Sequence, residues 1–150
     1  MADLLWDDVS CFFDPGLMRS QPDVRVPGAS VDDWQSVLDL VVERGWKCQY
    51  SEGETELPVP RAEAVLARPA DAECPGLRVW PVAGVLSIFR FHADDEIDFD
   101  VNLRELQGQE RLDVFGGFFR EIGRRLGKPV LMDPEGASGH PVLGFDVEAD

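Results

Sequence analysis

The sequence has little of what identifies a metal-binding, disulfide-rich or membrane protein. Its 150 residues include only three cysteines and two histidines. Cys11, Cys48 and Cys74 are scattered, odd in number and without a CxxC pair, which indicates reduced thiols and neither a disulfide framework nor a zinc site. No stretch approaches the roughly 20 consecutive apolar residues that a membrane-spanning helix needs. We therefore expect no membrane partner.

Motifs for export and for common reactions are also missing. The first ten residues, "MADLLWDDVS", carry acids where a secretory signal has Lys or Arg, and they form no sustained apolar run. GxGxxG, the Walker A motif and HExxH do not occur. Basic residues are nearly all Arg, and with the abundant Ala, Gly, Pro and Val this bias indicates a bacterial coding sequence. The expectation is a cytoplasmic protein whose reaction, if it has one, is not specified by a motif.

The composition is nevertheless that of a folded globular protein. Hydrophobic residues make up 44% of the chain, and nine Phe with four Trp supply large core side chains. A chain of 150 residues fits one domain of common size, so we predict a single domain over 1–150. The formal net charge of −15 repels nucleic acid phosphates and anionic lipids, which argues against a nucleic acid partner.

Hydrophobic spacing predicts two main helices. Residues 1–29 are turn-rich, and we predict an irregular lead-in that packs its aromatic side chains on the domain. Ser30 and Asp33 resemble a capping box at the start of a helix over about 31–44. A longer helix is predicted over about 109–126, where apolar residues recur every three or four positions. Gly116 and Gly117 inside it are expected to mark a close approach to the sheet, with a bend in the helix as the alternative.

Short alternating segments around these helices predict strands. They lie within about 46–60, 77–92, 96–103, 130–132 and 141–147. The order of helix, strands, helix and strands favours an α+β fold, in which an antiparallel sheet carries two main helices packed on one face.

One segment combines aromatic and acidic residues, "FRFHADDEIDFDV" at 89–101. A loop of odd length at 93–95 would place Phe89 and Phe91 on one face with Ile97, Phe99 and Val101. An even loop would bury charge among apolar groups, so we favour the odd one. The interpretation is a strand pair with an aromatic inner face and an outer face that carries Arg90, His92, Glu96, Asp98 and Asp100. Arg90 and Asp98 are expected to pair across the strands.

This charged face allows more than one chemical reading. His92, Asp98 and Asp100 could converge on a cation and serve a small metal-dependent hydrolase, although EF-hand spacing is not met. A general acid and base would need one carboxylate in an apolar pocket, and nothing in the sequence places one there. Ser138 and His140 lie two residues apart in a loop and do not define a catalytic triad.

The leading hypothesis is a non-enzymatic protein that holds a basic protein partner on an acidic surface, without a metal or another cofactor. A second acidic run, around Glu52 and Glu54, would extend the negative field of the 94–100 segment. The predicted partner-binding residues are Glu52, Glu54, Asp94, Asp95, Glu96, Asp98 and Asp100.

The segment "EIDFDVNLRELQGQERLDVFGGFFREIGRRLGKPVLM" (96–132) reads as strand, long helix and strand. In this, and in small size and acidic charge, the chain resembles the immunity proteins of bacterial polymorphic toxin systems, which bind and block their cognate toxin. The resemblance implies a role in neutralising a basic toxin, such as a nuclease, but it assigns no residue-level motif. A regulatory subunit or a nucleic-acid mimic would use the same acidic surface.

Overall fold

A single antiparallel sheet organises the protein, and a computed structural model describes residues 5–14, 22–67, 75–91, 94–133 and 143–145. The strands are β1 (Asp23–Pro27), β2 (Lys47–Glu52), β3 (Thr55–Leu57), β4 (Gly76–Val82), β5 (Val85–Arg90), β6 (Glu96–Val101), β7 (Val130–Asp133) and β8 (Leu143–Phe145). They are arranged in the order β3-β2-β4-β5-β6-β1-β7-β8, and every neighbouring pair is antiparallel.

Helices of very different length accompany the sheet. The α-helices are α1 (Trp6–Val9), α2 (Val31–Arg44), α3 (Ala62–Leu66) and α4 (Gln109–Leu126), and single 3-10 turns cover Ser10–Phe13 and Leu103–Glu105. Within the described ranges, none of the helices combines the length and the apolar character needed to cross a membrane.

The predicted α+β fold, with two main helices on one face of an antiparallel sheet, is confirmed. Phe118 of α4 packs edge-on against Phe89 and Phe99 of the sheet, with ring centroids 6.2 and 5.6 Å apart. Trp34 of α2 lies against Phe91, with centroids 4.5 Å apart. These five aromatic side chains belong to one continuous buried core, and aromatic pairs in such geometries add to the stabilisation from burial alone.

Helix α2 begins and ends where its sequence signals place it. The Ser30 hydroxyl accepts a hydrogen bond from the Asp33 amide at 3.2 Å, and the Asp33 carboxylate accepts one from the Ser30 amide at 3.1 Å. This reciprocal pair is the predicted capping box, since it satisfies two amides that the helix itself cannot bond. Gly45 ends the helix in the left-handed conformation at φ 67°.

Helix α4 has the predicted bounds, but its two internal glycines do not have the predicted role. A methyl group built on Gly116 or on Gly117 would meet no atom within 4 Å. The expectation that they mark a close approach to the sheet is therefore wrong. Large side chains such as Phe118 and Phe119 span the distance between the helix and the sheet instead.

The lead-in is only partly as expected. Its aromatic residues do pack on the domain: Phe13 is fully buried, stacks on Trp6 and meets Phe115 edge-on. The prediction of an irregular segment is wrong for Asp23–Pro27, because β1 lies inside the sheet between β6 and β7. Buried Val24 and Val26 alternate with charged residues, as strand pairing requires.

The register of the acidic strand pair is confirmed. Phe89 lies opposite Phe99 and Arg90 lies opposite Asp98, which corresponds to a connection of odd length. The predicted inner-face residues are buried, and the charged positions alternate with them. Because a slip of one residue would exchange the two faces, the register fixes which groups meet solvent.

Replacing Gly116 or Gly117 with Ala should raise the free energy of unfolding, by up to about 1 kcal/mol each, because Gly is a poor helix former and a methyl group has room at both positions. Denaturant unfolding of each variant measures the change. Gly127→Ala is the contrasting control: this residue has φ 65°, where a side chain costs about 1 kcal/mol or more. A loss of stability in Gly116→Ala would instead indicate that α4 does approach the sheet closely at this residue.

Candidate binding site on the sheet

The sheet has one face covered by α2 and α4 and a second face that carries charge. We call this second face the open face. Cross-strand pairing places the following residues on it side by side: Asp23, Arg25, Arg78, Ile88, Arg90, Asp98 and Asp100. All of them are partly or fully exposed. Alternation along the strands produces this division, because successive side chains leave a strand on opposite faces.

Two acidic turns lie at the same end of the sheet. Ser51, Gly76, Arg90 and Asp98 form one row of paired residues across β2, β4, β5 and β6. The β2–β3 turn and the β5–β6 connection both follow this row. We define the acidic rim as the five predicted residues at this end: Glu52, Glu54, Asp94, Asp95 and Glu96. From β2 to β6 the rim spans about 14 Å, three strand spacings of nearly 5 Å.

The residues of the rim differ in their exposure and in the hydrogen bonds that they form within the protein. Glu54, Asp94 and Asp95 are exposed. The Glu52 carboxylate accepts a hydrogen bond from the Tyr50 hydroxyl at 2.8 Å. The Asp95 backbone carbonyl accepts one from the Ala29 amide at 2.9 Å, which ties the turn to the start of α2 without using the side chain. The three exposed carboxylates are thus directed to solvent and available to a partner.

Asp98 and Asp100, the other two predicted partner-binding residues, lie on the open face itself. Asp98 is the direct cross-strand neighbour of Arg90, as expected. The Arg90 Nε, however, donates to Asp100 Oδ2 at 2.9 Å, along the diagonal of the strand pair. Part of the charge of Asp100 is therefore already balanced within the protein.

A carboxyl group that the sequence reasoning missed completes this acidic cluster. Asp23 of β1 lies opposite Asp100. Burial, a hydrogen bond with Asp100 and the nearby charges of Asp100, Asp98 and Asp133 raise the pKa of Asp23 to about 7. The Asp23 carboxyl group is therefore partly protonated near neutral pH. The sequence signal for this strand was the alternation of charged residues with valine in "DVRV" (23–26). The surrounding prolines and glycines obscured it.

The neighbouring ion pair is the most deeply buried one among the described residues. Arg25 Nε donates to Asp133 Oδ2 at 2.7 Å, with side-chain exposures of 16% and 0%. The other described pairs, such as Arg44 with Glu121, involve more exposed groups. Arg25 lies two residues after Asp23 in β1 and therefore on the same open face, so it links the acidic cluster to β7.

The alternative sites are not assembled by the described part of the chain. Among these residues, no group of three or more His, Cys, Asp or Glu side chains is arranged to hold a metal ion. His92 of the proposed metal site lies outside the described residues, as do Ser138, His140 and Cys74. The hydrolase that would use His92 with Asp98 and Asp100 therefore stays a prediction.

Comparison with protein-family models, with curated proteins and with solved structures found no match for this chain.

Asp23→Asn should stabilise the protein in a pH-dependent way. The folded-state pKa of Asp23 lies above its ordinary value of 3.8. The contribution of this group to the free energy of unfolding therefore falls as pH rises from about 4 through about 7. At pH 8 the variant avoids the ionised group and should gain on the order of 1–2 kcal/mol, since partial exposure screens the effect. The gain should vanish near pH 4.

Urea unfolding of wild type and variant at pH 4, 6 and 8 measures this difference, with Glu110→Gln as the control at an exposed carboxylate elsewhere. If Asp23→Asn changed the free energy of unfolding equally at all three pH values, the raised pKa of Asp23 would be contradicted.

Arg25→Ala should destabilise the protein by about 3–5 kcal/mol, because it removes the Nε donor from a carboxylate with no solvent exposure. Arg90→Ala, which breaks a pair in which the Arg side chain is 43% exposed, should cost no more than about 1 kcal/mol. Thermal or denaturant unfolding compares the two. Equal losses of stability in the two variants would mean that the buried Arg25–Asp133 pair stabilises the protein no more than the exposed Arg90–Asp100 pair.

Proposed function

We propose that the protein is a non-enzymatic binding module that holds a basic protein partner on its acidic rim. The observation that carries this proposal is the convergence of Glu54, Asp94 and Asp95 at one end of the sheet. All three are exposed, and none forms an ion pair with another described residue. Two turns far apart in sequence contribute to one negative surface.

The size of the rim supports joint action on one partner. Its width of about 14 Å is comparable to the Debye length of roughly 10 Å at 0.1 M salt. Neighbouring rim charges therefore reinforce one another at the surface of an approaching protein. The net charge of −15 extends this field around the molecule. Such a field accelerates the association of oppositely charged proteins and disfavours acidic competitors.

The open-face acids have a smaller part in this proposal. Asp100 is paired with Arg90, and Asp23 is partly protonated near neutral pH, so this cluster carries less charge than its number of carboxylates suggests. A cationic side chain that docked there would have to displace the proton. We therefore assign the first contact with the partner to the rim and give Asp98 and Asp100 a secondary place.

Neutralisation of a basic toxin is the specific role that we propose for this module. The resemblance to immunity proteins rests on small size, acidic charge and the strand, long helix and strand over 96–132. A blocking protein needs a complementary surface and no catalytic group, because covering the active site of the toxin is sufficient. Regulation of another basic protein would use the same surface.

Affinity capture from a lysate of the native host tests the proposal. We expect the tagged protein to retain a basic partner in stoichiometric amount, released by salt as charge screening increases. The decisive comparison is Glu54→Lys/Asp94→Lys/Asp95→Lys, which should weaken retention by at least about tenfold if each reversed charge costs about 0.5 kcal/mol or more, since a tenfold change corresponds to about 1.4 kcal/mol.

The matched control is Asp7→Lys/Asp8→Lys/Glu110→Lys, which makes the same change in net charge with other exposed acids. These residues lie near the amino-terminal end of α4, where the Trp6 amide bonds Gln109, and Arg111 contacts the β4–β5 turn at the end of the sheet opposite the rim. If both triple variants, still folded, lost the partner equally, net charge and not the rim would be responsible. If neither lost it, the acidic rim would not be the binding surface.

A further inference from the structure

A small hollow on the open face lies beside the acidic rim and is lined by positively charged side chains. It is about 160 Å³ in volume and is formed by β2, β4, β5 and the turn after β2. Ligand sites for drug-sized molecules enclose about 300–1,000 Å³, so this hollow suits a small group. Its lining consists of Ser51, Gly53, Gly76, Arg78, Ile88 and Arg90.

Two arginines of adjacent strands give the hollow its positive charge. Arg78 lies opposite Ile88, and Arg90 lies opposite Gly76, so the two arginines are diagonal neighbours on the same face. Their backbones are separated by about 7–8 Å at this diagonal. Two guanidinium groups that line the same hollow repel each other, and a bound anion would relieve that repulsion.

The guanidinium groups have donors to spare. Arg90 is held through Nε by Asp100 at 2.9 Å, and its two terminal nitrogens have no hydrogen-bond partner among the described residues. Arg78 is exposed and forms no hydrogen bond or ion pair with another described residue. The first arginine is thus oriented by the protein while its terminal nitrogens stay available, and the second is wholly available.

Gly76 keeps the floor of the hollow open. It lies directly beside Arg90 on the open face, and an added Cβ would come no closer than 3.7 Å to any neighbouring atom, the Phe89 carbonyl oxygen. A methyl group would therefore fit there without strain, and a larger side chain would extend into the hollow beside the arginines. Ile88 provides an apolar wall and Ser51 a hydroxyl donor.

We propose that this hollow binds a carboxylate group between Arg78 and Arg90. Planar guanidinium groups match a carboxylate through two parallel hydrogen bonds, and such charge-assisted bonds are the strong ones in proteins. Ser51 can donate a further hydrogen bond. This site is independent of the acidic rim, since it recognises the opposite charge.

Two sources could supply the carboxylate, and the electrostatics of the chain distinguishes them. A free small acid must approach a protein of net charge −15, whereas an Asp or Glu side chain of another protein arrives with neighbouring groups that can compensate. Succinate represents the first source. N-acetyl-glutamate amide, which carries one side-chain carboxylate and no other charge, represents the second.

The test is an NMR titration of the arginine Nε–Hε signals with each compound, against sodium chloride at matched ionic strength. We expect saturable shifts at Arg78 and Arg90. Saturation by succinate alone would identify a free acid as the ligand, and saturation by the glutamate derivative would identify a protein side chain. Shifts no larger than those with chloride for either compound would overturn the proposal.

Three variants separate a local site from the general field. Arg78→Gln should weaken the binding of the saturating compound by about tenfold or more, because it removes a charge-assisted pair of hydrogen bonds. Gly76→Val should do the same with both arginines still in place, because it fills the hollow. Arg104→Gln removes an equal charge at an exposed arginine outside the hollow and should change binding less than about twofold. Equal effects of Arg78→Gln and Arg104→Gln would overturn the proposal.

Discussion

The structure depends on one constraint, the alternation of side chains in the central strands. Phe89, Ile97 and Phe99 must all lie on the helix-covered face of the sheet for the core to close, and this requirement fixes the register of β5 and β6. Once the register is fixed, alternation places Arg90, Asp98 and Asp100 on the opposite face of the sheet. The charged surface is therefore a consequence of how the core is packed.

This constraint explains why charges of both signs are ordered along the open face. Arg90 is placed diagonally to Asp100, and Arg25 is placed against Asp133, because the strands that carry them pair in a single register. Acid predominates over β6 and β1, and Arg78 and Arg90 predominate over β4 and β5. A partner that used the whole face would need a complementary pattern of charge, which provides discrimination that net charge cannot.

Helix bounds, the capping box at Ser30 and the inner and outer faces of 89–101 were predictable from sequence, because each depends on neighbouring residues. Strand order was not, because β1 pairs with β6, whose paired residues lie 69 to 77 positions further along the chain. The pair of Asp23 with Asp100 depends on that pairing and was missed with it. The rim shows the intermediate case: both acidic runs were identified in sequence, but only the sheet brings Glu54 and Asp94 to the same end.

The position of β1 also bears on how the chain folds. The strands β2, β4, β5 and β6 follow one another with short or moderate separations, so their pairings close small loops. By contrast β1, which starts at Asp23, must find β6 and then β7, whose last residue is Asp133. Because the entropic cost of loop closure rises with sequence separation, we expect these pairings to form after the local ones. During synthesis the acidic half of the sheet therefore stays incomplete until nearly the whole described chain has left the ribosome.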